Sequence, residues 1–99
     1  MGDSADMGDA VPTQLIDNDR VRVTEWKFSP GAHTGWHRHE MDYVVVPVTN
    51  GHLRLKEPDG ERTVELVLGQ PYFREVGVEH DVINPSGTDD VIFIEVEMK

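Results

Sequence analysis

The chain has no cysteine, so disulfide staples and thiolate chemistry are both excluded. That absence fits a reducing compartment, and a cytoplasmic location is the expectation. Positive charge is also scarce. Lys and Arg number 9 against 19 Asp and Glu, a formal net charge of −10. Such a chain repels phosphate backbones and anionic lipid surfaces, so neither nucleic acid nor membrane is an expected partner. No apolar run approaches the ~20 residues that span a bilayer. The segment 1–13 carries Asp3, Asp6 and Asp9 without Lys or Arg, and lacks the basic start and apolar stretch of a signal peptide. It reads as a loose acidic tail, with a single domain over 14–99. At 99 residues there is room for one thin core only.

Long helices are missing as well. Glycines such as Gly31, Gly35, Gly51, Gly60, Gly69 and Gly77 interrupt the chain too often for them. Between them lie short segments of period-two patterning, the mark of β-strands. In Arg20 to Phe28, Val21 and Val23 share one parity while Trp26 and Phe28 share the other, which predicts a bulge or a change of sheet near Thr24 and Glu25. Tyr43 to Thr49 is apolar on both parities, so it is covered on both faces, one cover being the core and the other a second subunit. Pro47 places that strand at an edge or a bulge. Asn50-Gly51 is a strong hairpin signal, and Glu57-Pro58-Asp59-Gly60 is a turn by its chemistry. Val91 to Met98 closes the chain, read with Ile92, Ile94, Val96 and Met98 inward. About eight evenly spaced strands predict an all-β sandwich or jelly-roll barrel of antiparallel strands.

The five histidines are not equivalent. His37 and His39 are one residue apart, which on a strand points both rings to one face. Each imidazole then offers a lone pair to a common point, the arrangement a metal ion needs. His33 falls in a turn and His52 on a polar face with Arg54 and Lys56, so both are left out of the site. The bland alternative for the cluster is a metal-free polar patch, which inside a barrel costs about 1–3 kcal/mol for each unpaired buried group.

Gly31, His37, His39 and Gly51, followed by Gly69, Gly77, His80 and Asn84, stand at spacings that resemble the two cupin motifs in order. The resemblance implies a cupin jelly roll, an RmlC-like single domain, with a metal ion on His37, His39 and His80. The family's glutamate ligand falls on Tyr43 or Val44, and its second-motif proline on Glu75. The chain therefore resembles the three-histidine cupins, which include dioxygenases holding Fe(II) without a protein carboxylate. Asp17 to Val23, Asp42 to Pro47 and Gly69 to Arg74 are also similar to small bacterial cupins linked to β-alanine degradation. Cupins of this kind commonly pair, so a homodimer is expected.

Several neighbours have two readings each. Tyr43 either points its hydroxyl at a ligand as acid or base, or packs outward beside Val45, and packing is preferred. Glu40, Asp42 or Glu75 can supply a replacement carboxylate, with plain solvation the simpler role. Trp26, Trp36, Tyr72 and Phe73 line a pocket or fill the core. Three neutral imidazoles leave a divalent ion its full charge and open positions, which favours a small anionic, chelating substrate. Fe(II) is the leading metal, with Zn, Ni or Mn as alternatives. The functions left open are an oxygenase, a non-redox isomerase or lyase, and a binding module without chemistry.

Overall fold

A computed structural model describes residues 8–99. Nine strands follow one another: β1 (Val11–Asp17), β2 (Val21–Phe28), β3 (His37–Arg38), β4 (Asp42–Pro47), β5 (Gly51–Glu57), β6 (Gly60–Leu66), β7 (Tyr72–Arg74), β8 (Glu79–Ile83) and β9 (Val91–Met98). They form a five-stranded sheet ordered β1-β2-β9-β4-β7 and a four-stranded sheet ordered β3-β8-β5-β6, with every strand pair antiparallel. The all-β jelly-roll expectation holds. Of the acidic segment 1–13, residues 1–7 lie outside the described residues, while Val11–Thr13 belong to β1 and Ala10 is buried. The ordered domain therefore starts before residue 14, because those backbone groups pair with Glu25 to Lys27 of β2.

Register across the five-stranded sheet decides which side chains face inward. One inner row runs Arg22, Glu97, Tyr43, Arg74 across β2, β9, β4 and β7. The next runs Thr24, Glu95, Val45, Tyr72, and below it lie Trp26, Phe93 and Pro47. The deepest layer is apolar: Phe28 and Phe93, ring centroids 5.5 Å apart, meet Leu53, Leu55, Val82 and Val91. The outer face carries its own apolar row of Ile16, Val23, Val96, Val44 and Phe73.

Four readings are corrected, the first two by this two-faced apolarity. Strand β2 pairs with β9 in unbroken register, so it has no bulge. Its two valines and its two aromatics simply face opposite sides, and the irregularity sits in β1 between Gln14 and Ile16. On β9 the inward residues are Val91, Phe93, Glu95 and Glu97, with Ile92, Ile94, Val96 and Met98 on the outer face. Asn50-Gly51 carries the chain from one sheet to the other, and the hairpin joins β5 to β6 through the Glu57–Gly60 turn. Asn50 holds that corner by accepting a hydrogen bond from Leu68 N at 2.8 Å. Pro47 ends an interior strand, at a point where β7, which pairs only as far as Val45, no longer runs alongside.

Asn84 ties the two sheets together. It is fully buried, and its amide donates to the carbonyls of Phe28, Ser29 and Asp89 while its oxygen accepts from Ser86 N. The end of β8 is thereby fastened to the end of β2 and to the loop before β9.

Candidate metal centre

The three histidines predicted from spacing come together. His37 on β3 stands directly opposite His80 on β8, so both rings leave the sheet on the same side, with centroids 4.7 Å apart. His39 follows β3 and is fixed through its backbone: its N–H donates to Val78 O at 2.8 Å, and its carbonyl accepts from Gly77 N at 2.9 Å. Gly77 has φ 98°, a conformation that favours glycine, and this turn brings His39 beside His80.

The Nε2 atoms converge. His37 Nε2 and His39 Nε2 are 3.1 Å apart, as are His39 Nε2 and His80 Nε2. Two nitrogens bound at about 2.0–2.1 Å to one ion, at angles between octahedral and tetrahedral, lie roughly 2.9–3.4 Å apart. The spacing therefore fits a shared divalent ion. The ring of His37 is oriented by its other nitrogen, Nδ1, which donates to Gly35 O at 2.9 Å and leaves Nε2 turned toward the other two rings. Gly35, at φ 85°, is held in turn by its N–H to Asp81 Oδ1 at 3.0 Å. Asp81 also faces His33 Nδ1 at 3.1 Å through both oxygens. His33 is thus half-buried and paired, rather than a free turn residue, while His52 is exposed as expected.

Burial keeps two of the rings neutral. Desolvation, reinforced by the charge of His37, depresses His39 to about 4. Desolvation with both neighbouring histidines depresses His80 to about 3. At neutral pH both offer lone pairs, the form that binds a metal.

Tyr43 is buried inside the barrel and stacks on His39 with centroids 3.9 Å apart. Burial pushes its hydroxyl well above the ordinary tyrosine range, so it remains protonated. It therefore does not pack outward, as the strand pattern suggested, but inward as a packing partner for His39. The carboxylates singled out from sequence do not join the cluster. Glu40 is exposed and pairs with Arg38 at 3.3 Å, Asp42 accepts from Val76 N at 2.8 Å, and Glu75 is exposed. The acids near the histidines are Glu95 and Glu97, whose carboxylate oxygens lie within 4.8 Å of each other and of a ring nitrogen of His39. Hydrophobic parity alone hides both, because it places Ile92, Ile94, Val96 and Met98 of β9 inward. The signal was present in the alternation of Phe93, Glu95 and Glu97 against Ile94, Val96 and Met98.

The cluster opens into a cavity of about 590 Å³ between the sheets. Trp26, Tyr72, Val45 and Leu53 supply apolar wall, and Arg22, Arg38 and Arg74 supply positive charge. Trp36 and Phe73 stay more than half exposed, so of the four aromatics only Trp26 and Tyr72 line the site. Among the described residues no helix is long and apolar enough to cross a membrane.

Comparison with known proteins agrees with this geometry. The β-alanine degradation protein BauB of Pseudomonas aeruginosa is 59% identical over 90 residues, covering 91% of this chain and 94% of that protein. A cupin domain from Bordetella pertussis Tohama I superposes with a TM-score of 0.90 at 58% identity, covering 93% of this chain and 95% of the other. The polyketide cyclase RemF of Streptomyces resistomycificus superposes at 0.73 with 28% identity, over 91% of this chain and 65% of that one. Residues 24–97 match the cupin domain family itself. With two facing sheets, motif histidines meeting across β3 and β8, and that match over most of its length, the chain belongs to the cupin family.

Proposed function

We propose that this cupin is a metal-dependent enzyme acting on a small anionic metabolite of β-alanine or related catabolism, with Fe(II) held by His37, His39 and His80. The observation that carries the reading is the convergence of the Nε2 atoms at 3.1 Å in a cavity large enough for a small molecule. The pathway is supported by the 59% identity to BauB. When bound, Fe(II) supplies dioxygen chemistry next to a chelated substrate. The chain's own residues do the rest. Arg22, Arg38 and Arg74 draw an anion into the cavity, and Tyr43 packs against His39 to fix its ring. Trp26, Tyr72 and Leu53 wall the bound molecule from water.

Elemental analysis of untagged protein beside the His37→Ala/His80→Ala double variant is the test. Near-stoichiometric iron that is absent from the variant, with oxygen uptake on short anionic substrates, is the expected result. No metal after reconstitution overturns the reading. A non-redox metalloenzyme is the second reading, favoured by the resemblance to a polyketide cyclase. It is selected if zinc, nickel or manganese restores turnover without oxygen.

A homodimer belongs to the same proposal. It is supported by the outer apolar row, in which Ile16 and Phe73 are about half exposed at the two ends. Light scattering is expected to give a dimer mass that falls to a monomer in Val44→Glu, and a monomeric wild type refutes it.

A further inference from the structure

Glu95 is a carboxyl in the wrong place for a purely anion-binding cavity. It is 8% exposed, sits at the middle of the central strand β9, and lines the cavity between Thr24 and Val45. A buried carboxylate needs a cation or several donors to stay charged. The other charges of the inner rows have theirs. Glu97 lies 3.9 Å from Arg22, and Arg74 lies 3.6 Å from Glu57. Glu95 makes no ion pair among the described residues, and the one side-chain hydrogen bond that favours its charge comes from Trp26. The strongest unmet demand for a cation in the cavity therefore lies within 4.8 Å of a histidine of the metal centre.

We propose that the cavity reads a short zwitterion, whose carboxylate goes to the metal centre while its ammonium is received by Glu95. This rests on the metal-centre reading above and narrows its anionic metabolite to one that carries an ammonium as well as a carboxylate. The two anchor points limit the molecule's length. Because the carboxylate oxygens of Glu95 and Glu97 lie within 4.8 Å of a His39 ring nitrogen, only a few bonds can separate the two charged ends. An acid that carries a methyl group where the ammonium should be leaves Glu95 desolvated and unpaired, so it is rejected.

Calorimetric titration of zinc-loaded protein tests the proposal, since zinc holds the site without redox turnover. The probes are glycine, β-alanine and γ-aminobutyrate, each against the acid with methyl in place of ammonium: propionate, butyrate and pentanoate. At least one amino acid is expected to bind about tenfold or more tightly than its methyl counterpart, a preference lost in Glu95→Gln at unchanged zinc content. Equal binding across every pair, absence of binding, or a preference that survives in Glu95→Gln overturns the zwitterion reading while leaving a zinc-loaded metal centre intact. Loss of zinc in Glu95→Gln, or a second zinc in wild type, makes Glu95 a ligand and overturns it too. A wild type that takes up no zinc overturns both this proposal and the metal-centre reading.

Discussion

Glu95→Gln in metal-free protein is expected to raise stability at pH 8 and to leave it nearly unchanged at pH 4. Burial, with the repulsion of Glu97 added, pushes the Glu95 carboxyl up from 4.5 to about 7, and the Trp26 hydrogen bond only partly opposes this. Below pH 4.5 the carboxyl is neutral in both folded and unfolded chains and costs nothing extra. Between 4.5 and 7 the unfolded chain releases a proton that the folded chain still holds, so stability falls as pH rises. Above 7 the full cost is present. Each pKa unit is worth about 1.4 kcal/mol, so a rise of this size is worth roughly 3 kcal/mol. Gln keeps an oxygen for the Trp26 indole and has no charge to bury. The gain at pH 8 is therefore about 2–3 kcal/mol, or on the order of 10 °C in melting temperature for a domain of this size. Thermal and urea unfolding of chelator-treated wild type and variant, from pH 4 to pH 8, measures it. Parallel pH profiles for the two proteins would refute the reasoning, because they would mean that Glu95 titrates alike in folded and unfolded chains.

The depressed histidines produce the opposite slope. From pH 6.5 down to about 4 the unfolded chain takes up protons that buried His39 and His80 refuse, so stability drops toward acid by up to about 1.4 kcal/mol per pH unit for each ring. Since Glu95 offsets part of this between 4.5 and 6.5, urea midpoints should fall more steeply with acid in Glu95→Gln than in wild type, and equal slopes would contradict the assignment. Asp81→Asn removes the charge between Gly35 and His33 and loosens the turn that orients His37. A loss of about 10–100-fold in zinc affinity is expected by chelator competition, and unchanged affinity would show that Gly35 holds His37 unaided. Asn84→Ala strands the buried carbonyl of Phe28 and the part-buried one of Asp89 and should cost about 2–4 kcal/mol in urea unfolding, whereas a loss under about 1 kcal/mol would mean that the loop relaxes around the gap.

What could be read from the sequence separates cleanly by the range of the interaction. His37 and His39 are coupled by the strand's own two-residue period, so their shared face follows from local geometry alone. His80 joined them through the second motif, and β3 pairing with β8 delivers the meeting. Glu95 and Glu97 had no such local guarantee. Strand β9 has apolar residues at every second position on the outside, and on the inside Val91 and Phe93 followed by the acids Glu95 and Glu97. Its amphipathic pattern thus points the wrong way for a sheet with one wet face. The clue lay in a different strand. Val44 and Val46 on the outer side of β4, opposite Tyr43 and Val45, already require an apolar cover on both sides, and β4 and β9 are direct neighbours. If the outer face of β4 is apolar, the row Ile92, Ile94, Val96 can lie outside with it, which frees the inner positions of β9 for carboxylates. The three histidines proposed as metal ligands are thus encoded in short motifs, whereas the charge pattern proposed to select a substrate is encoded in the pairing of β9 with β2 and β4. Relatives that keep His37, His39 and His80 can therefore differ in substrate through β9 alone, and exchanging Glu95 is the smallest change that should move specificity without moving the metal.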